Sequence, residues 1–506
     1  MENWKSFIPI PVLDEKPQYN ELYEKAWELA YKHIKHIDGM PQTPYMDEAF
    51  CDTQIWIWDS CFMAFFCKYG KGVFPGIETL RNFYEVLYNG NQLAKVIPTE
   101  DEPEWTFATP GEPYELKIHI ADNPPLFAWA EHENALMSGD VNHIKELLYE
   151  HKFLQKHYDW IEGLRESVTP DGVHAPTCLI AEDKGYRWEG GRSGMDNTPR
   201  GRTGEKAEKI RPNNPDMLWI DAICQQALSA KVISKLFQFV DDKENAEIWT
   251  SRFLEKKEII NKYYWDGEDK FYYDIDCNTN KFYKIMSIAS YWTMTAGVAD
   301  KEQAESLLRY LLAPEFFGGS VPFVSVARCD ADFIPEGEYW RGGVWLPTAY
   351  AALKGLLNYG FIKEAREMSV ALLDHMQKTY IDFEPHTIWE AYSPTDFKPS
   401  TTENVLVRKY VRPDFCGWSA LGPISIYIEF ILGFHTVDAF EKRVEWSKPE
   451  TDGRIGIKNL RFGNVVTDIV SFGDKCFVKS NESYTLSING TDYQILQGEN
   501  EICFNG

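Results

Sequence analysis

Apolar residues return at helical spacing along most of this chain. In KEQAESLLRYLL (301–312), Ala304, Leu307, Leu308 and Leu311 fall at i, i+3, i+4 and i+7, a single stripe on one face. FIKEAREMSVALLDHMQKTY (361–380) repeats the stripe through Phe361, Ala365, Met368, Leu372, Met376 and Tyr380. The same spacing predicts helices near 20–37, 53–68, 77–89, 125–138, 142–165, 216–238, 243–264, 285–297, 301–312, 343–358, 361–380 and 417–432, twelve in all. PLFAWAEHENAL, SIASYWTMTAGV and GVWLPTAYAALKGLL are the more apolar segments, and a charged amphipathic segment follows each. That alternation predicts a mainly α fold, an (α/α)6 barrel with apolar helices inside and amphipathic ones outside. Two long stretches without helical pattern, 89–124 and 166–215, are expected to gather on one rim and form a substrate cleft.

From about residue 438 the period changes to two. GRIGIKNLRFGNVVTDIVSFGDKCFVKS and the residues after it alternate apolar and polar positions between Gly, Asn and Asp turns. The chain therefore divides into a helical barrel over 1–437 and a small C-terminal all-β domain over 438–506. DIDCNTN (274–280) sets oxygens at alternate positions like a calcium loop. It lacks Gly at the sixth position, and Ile285 stands where the bidentate Glu belongs. Its KFYY and KFYKI flanks predict a β-hairpin turn, so no metal is assigned.

Charge narrows the partners. The 506 residues carry a net charge of −25, which repels phosphate backbones and anionic lipid, so neither nucleic acid nor a membrane surface is expected as partner. The apolar run SALGPISIYIEFILGF (419–434) is short for a bilayer and contains Glu429. The N-terminus lacks the pattern of a secretory signal. The ten cysteines fall in no CxxC or zinc spacing, and a cytoplasmic location follows. A homo-oligomer remains open.

Serine-nucleophile elbows, phosphate loops and dinucleotide fingerprints are absent from the sequence. The feature that stands out is carboxylates set among tryptophans: IWIWDS (55–60), GGRSGMDNTPR (190–200), YWRGGVWLP (339–347) and TIWEAYSP (387–394). Asp196 sits among glycines with Pro199 behind it, and Glu390 lies between Trp389 and Tyr392. Two carboxyls in contrasting settings, one desolvated and one hydrogen-bonded, suit glycoside hydrolysis, which needs an acid for the leaving oxygen and a base at the anomeric carbon. Asp196 could equally serve an Asx turn, and Glu390 could hold an arginine.

The segments SGMDN, WRGGVWLPT and WEAYSP, with WDS and the proline pair of DNPPLFAW, resemble the motifs of glycoside hydrolase family 63 and, more distantly, of the family 37 trehalases. The resemblance spans about residues 50 to 430. It implies an (α/α)6 barrel and an inverting exo-α-glycosidase, foremost an α-glucosidase, with a small carbohydrate substrate and no cofactor. It implies Asp196 as general acid and Glu390 as general base, Trp58 and Asp59 on the terminal sugar's hydroxyls, and Trp340, Arg341 and Trp345 lining the −1 subsite. Trp389 and Trp418 are implied as further cleft rings, and Tyr392 as the residue that orients Glu390. Arg192 stands where the family commonly has Glu, and Asn123 where it commonly has Gln; both are candidate substrate contacts that bear on the identity of sugar and leaving group. The large N-terminal β-sandwich of many members is missing, as in the compact bacterial branch whose hydrolases act on mannosylglycerate and glucosylglycerate. Two rival functions have other requirements. A sugar epimerase needs a facing histidine pair, which His119, His174, His375 and His386 do not announce. A carbohydrate-binding protein would need neither acid.

Overall fold

The computed structural model describes residues 4–36, 42–49, 54–88, 96–98, 124–163, 179–404, 406 and 408–504. Its helices are α1 (Tyr19–Lys32), α2 (Ile57–Cys67), α3 (Gly76–Tyr88), α4 (Phe127–Ser138), α5 (Val141–Lys145), α6 (Phe153–Gly163), α7 (Gly190–Ser193), α8 (Ile220–Phe239), α9 (Lys243–Tyr263), α10 (Trp292–Ala296), α11 (Lys301–Leu312), α12 (Leu346–Asn358) and α13 (Ile362–Asp382). A last helical stretch follows, Ser419–Leu421 running into Gly422–Ile431.

The inner ring closes on itself: α2 packs on α4, α4 on α8, α8 on α10, α10 on α12, and α12 on the 419–431 helix, which returns to α2. Composition decides which helices go inside. Every residue of α2 is buried, whereas α9 fully buries only Ala246, Trp249, Lys256 and Ile260. With α1, α3, α6, α9, α11 and α13 outside, this is the (α/α)6 barrel.

All twelve expected helical regions are helical over part or all of their length, with ends shifted by up to several residues. The expected 53–68 helix starts at Ile57, because Gln54–Trp56 pairs with Val96–Pro98. The expected 142–165 helix breaks where Lys152 takes a left-handed φ of 53°. Residues 180–187, inside the stretch read as loop, form strands of a five-stranded sheet with Met217–Leu218, Asp274–Asp276 and Phe282–Tyr283. The hairpin expected at 274–280 is there: Asp276 Oδ1 accepts the backbone N–H groups of Asn278 and Thr279 at 3.0 and 2.7 Å. Its carboxylate closes a turn.

The C-terminal β region holds two sheets. One contains Ile455–Phe462, Val465–Phe472, Lys475–Ser480 and Gly498–Cys503, and the other Thr436–Asp438, Arg443–Trp446, Tyr484–Ile488 and Thr491–Ile495. In Val465–Phe472 every second residue is buried, as the period of two requires. The edge strand of the first sheet comes from the other end of the chain: Ile10–Leu13 pairs with Ile455–Lys458. The N-terminal strand thus belongs with the sheets, although the sequence division places it with the helices. Among the described residues, no helix is long and apolar enough to cross a membrane.

Candidate active site

The four motif segments meet at the N-terminal ends of the inner helices. Trp58 and Asp59 occupy the first turn of α2, Trp345 caps α12, and the Asp196 turn precedes α8. The turn is compact because its glycines are. Gly194 has φ 82°, and a Cβ there would stand 3.1 Å from the Trp58 indole. Glu189 caps α7 by accepting the Gly191 N–H at 2.9 Å. Asn197 then sews the turn to the next motif: its Nδ2 donates to Glu338 O at 2.8 Å and its Oδ1 accepts Trp340 N–H at 2.7 Å. Behind them Arg200, fully buried over Trp219, bridges Asp221 and Asp274 at 2.8 and 2.6 Å. Burial would lower its guanidinium, but the two aspartates outweigh that and hold it above its ordinary value.

The two acids have unlike surroundings. Asp196 is partly open, its carboxyl side chain 27% exposed, and its Oδ2 accepts from Arg211 Nη2 at 3.0 Å. Arg211 also forks onto Glu403, with Nε 3.1 and 3.0 Å from the two oxygens. Glu390 is fully buried. Its Oε1 accepts the Tyr339 hydroxyl at 3.0 Å and Arg412 Nη1 at 3.4 Å, while its Oε2 accepts the Arg412 backbone N–H at 3.0 Å. Arg408 Nη2 stands 4.0 Å from Oε2, and no hydrogen bond holds that guanidinium among the described residues. The Glu390 backbone is fixed too, its carbonyl accepting Trp418 Nε1 at 2.8 Å and Ser419 Oγ at 3.1 Å.

Tyr339 links the pair. Burial pushes its phenol well up, and the charges of Glu390 and Asp196 push further, so it stays protonated and donates. Its backbone adopts φ 65° beside Glu338 at 36°, a left-handed pair that costs on the order of 1–3 kcal/mol per residue and is held by the surrounding bonds. Trp345 Nε1 secures it by donating to Tyr339 O at 3.1 Å, and the Trp345 ring lies parallel on Trp340 with centroids 4.2 Å apart. Trp418 leans on Trp345 at 5.7 Å. The indole N–H groups of Trp58 and Trp389 are buried without a hydrogen bond among the described residues.

Other expected contacts land differently. Tyr392 does not touch the Glu390 carboxylate; its hydroxyl accepts Trp389 N–H at 3.3 Å, its backbone pairs with Val344, and Tyr339 holds the acid instead. Arg341 donates to the carbonyls of Lys209 and Ile210 at 2.7 and 2.9 Å, so it positions the segment carrying Arg211. Arg192 lies 3.9 Å from Glu189. Asn123 lies outside the described residues, as do His119 and His174. His375 is buried against Tyr392 and Phe397, while His386 sits exposed on Tyr380 O and Glu384. Sequence reasoning misses Tyr339, Asn197, Arg211, Glu403, Arg408 and Arg412. A faint signal lies in VLVRKYVRP, a cluster of cations just after the last carboxylate motif in a strongly acidic chain.

Comparison with known proteins shows the family and the fold. Residues 52–404 match the model of the mannosylglycerate hydrolase MGH1-like glycoside hydrolase domain. An uncharacterized protein of Borreliella burgdorferi is 26% identical over 444 residues, 85% of this chain and 83% of that one. A probable trehalase of Eremothecium gossypii is 28% identical over 223 residues, 42% of this chain and only 30% of that protein's length. Among solved structures, a GH63 mannosylglycerate hydrolase from Thermus thermophilus in complex with glucose superposes with a TM-score of 0.56 at 16% identity, over 80% of this chain and 99% of that one, which establishes the shared fold. The protein is a glycoside hydrolase, and the chain belongs to the MGH1-like branch of glycoside hydrolase family 63.

Proposed function

We propose that the chain is an inverting exo-α-glycosidase acting on a short oligosaccharide or small glycoside, foremost an α-glucoside. Asp196 protonates the glycosidic oxygen while Glu390 takes a proton from a water attacking the opposite face of the sugar. The observation carrying this reading is that Tyr339 is hydrogen-bonded to Glu390 and within electrostatic reach of Asp196, so both carboxyls address one place. Inversion requires the carboxyls roughly 6.5–9.5 Å apart, with room for that water. Trp58, Asp59, Trp340, Trp345, Trp389 and Trp418 would wall the sugar. The eight described cysteines are free, which suits a reducing compartment such as the cytoplasm.

One observation favours a charged leaving group. The Arg408 guanidinium, 42% exposed and at only 4.0 Å from Glu390, is suited to fork onto a substrate carboxylate, as a glycerate glycoside would present. Proton NMR of hydrolysis across trehalose, glucosylglycerate and mannosylglycerate tests both readings. Free β-sugar appearing first is the expected result. α-Sugar first would assign one carboxylate as a nucleophile and overturn the acid and base roles. Arg408→Ala should raise KM for the glycerate glycosides only.

A further inference from the structure

Both ends of the inner helices hold buried charge. About 15 Å along α2 and its extension from Trp58, Lys68 Nζ lies 3.1 Å from both Glu133 and Glu429, and Lys354 Nζ lies 3.1 and 3.2 Å from the same two acids. Two cations there meet two carboxylates. At the acid rim a single cation, Arg211, meets two carboxylates, Asp196 and Glu403.

Arg211 divides itself unequally. Its Nε reaches both Glu403 oxygens, and its Nη2 also donates to Glu403 Oε1. Asp196 Oδ2 receives only a share of Nη2, at 3.0 Å. Both sides of the fork are held from behind. Arg341 fixes the Lys209 and Ile210 carbonyls just before Arg211. Glu403 follows Thr401, whose carbonyl accepts Tyr339 N–H at 2.8 Å and whose N–H donates to Glu336 O at 3.0 Å. Thr402 N–H donates to Lys409 O at 3.1 Å.

The consequence follows from charge. Burial would lower the Arg211 guanidinium, but Glu403 and Asp196 hold it above its ordinary value, so it stays a cation throughout. One guanidinium cannot neutralise two carboxylates, and the trio carries a surplus negative charge when both are ionised. A proton removes that surplus, and it settles more readily on the carboxylate with the smaller share of the cation, which is Asp196. We propose that Glu403 is a positioning residue for the glycosidase reaction: by claiming the Arg211 fork, it keeps on Asp196 the proton that the leaving oxygen needs. This rests on Asp196 being the general acid.

Other charged and titratable groups surround the trio. Tyr339 faces both Asp196 and Arg211, and Glu338 faces Glu403 beside Arg341, Asp332 and Lys206. Glu189 and Arg192 belong to the Asp196 turn, and Asp59 follows Trp58, whose ring lies against Gly194. They are the same in every variant below, so differences between variants report on the trio.

Two measurements on the whole chain test the proposal. The first is the pH profile of kcat/KM on trehalose, glucosylglycerate and mannosylglycerate, whose alkaline limb reports loss of the acid's proton in the free enzyme. Glu403→Gln removes a negative charge and frees Arg211 for Asp196, so it should move that limb down by about one pH unit. Glu403→Asp should restore the limb, and Arg211→Gln, which removes the cation, should move it up. A fall in kcat with the limb unmoved in Glu403→Gln would make Glu403 merely structural and overturns the proposal. The second measurement needs no substrate: thermal unfolding at neutral pH of Asp196→Asn, Glu403→Gln and the double variant. Asp196→Asn should lower the midpoint less in the wild type than in the Glu403→Gln background, where Asp196 is the one carboxylate left on Arg211. Equal shifts in both backgrounds overturn the proposal. Should none of the three glycosides be cleaved, the reading of the substrate fails, and the unfolding cycle still decides whether Glu403 and Asp196 compete for Arg211.

Discussion

At the rim built from residues 190–211, 338–345 and 390–412, carboxylates are served by arginines on irregular chain. At the opposite rim Glu133 and Glu429 meet lysines at the ends of helices. Both ends bury charge deeply, so burial does not by itself tell a reacting group from a structural one. What differs is closure. The Lys68–Glu133–Lys354–Glu429 square is self-satisfying, each charge meeting two opposite ones. The acid rim stays unbalanced: Asp196 is partly open, Arg211 is shared, and Arg408 reaches Glu390 only at 4.0 Å. Chemistry belongs where bonding capacity is left over for a ligand, and stability where it is used up.

Substitutions at the two ends probe this difference. The acids should respond most: Asp196→Asn and Glu390→Gln should each lower kcat by roughly 10²–10⁴-fold, the range for general acid–base groups, with an unchanged far-ultraviolet circular dichroism spectrum. Near-wild-type turnover in either variant refutes its role. Next comes Arg200→Met, which strands Asp221 and Asp274 in the core and should cost about 3–5 kcal/mol in denaturant unfolding.

The far rim should show itself in the pH dependence of stability. The lysines hold Glu133 below its ordinary 4.5 despite burial, and the two acids hold Lys354 above its ordinary 10.5 despite burial. The depressed acid contributes stability that is full above pH 4.5 and lost as pH falls through its folded value. The raised lysine contributes stability that is full below pH 10.5 and lost as pH rises through its folded value. Glu133→Gln removes the depressed acid and the larger of the two charges that raise Lys354, so it should flatten the unfolding free energy against pH at both limbs, and a profile identical to wild type would show the square to be idle. The smallest change belongs to Tyr339→Phe, which removes one hydrogen bond of about 1.5–3 kcal/mol to a charged group. Here kcat should fall about tenfold with KM little changed.

Much of the helical architecture is legible in the sequence, because the 3.6-residue stripe and the inner–outer difference in apolarity are local properties. The short strands are not legible. Met217–Leu218 pairs over two residues with Ile275–Asp276, and nothing within such a fragment distinguishes it from a loop. Ile10–Leu13 is concealed by Pro11, which argues against an interior strand; the structure places it at a sheet edge, where a missing N–H is tolerated. The same division runs through the site. Asp196 and Glu390 stand out by their local frames. Tyr339 stays hidden within YWRGGVWLP, because its contact with Glu390 depends on a left-handed backbone and a partner 51 residues away. Arg211, Arg408 and Arg412 reach the acids only once distant segments converge.

The pairing of Ile10–Leu13 with Ile455–Lys458 also sets the order in which the molecule can be finished. The first strand waits on the ribosome for a partner that emerges some 440 residues later, and α2 likewise waits for Ser419–Leu421 to close the ring. Entropy hardly opposes so late a closure, since each doubling of loop length costs only about 0.6 kcal/mol. Time does: at about 5–20 residues per second, an unclosed ring would show its apolar inner helices for tens of seconds. Nascent chains of this protein should therefore be persistent chaperone clients, released only when the last sheet is made.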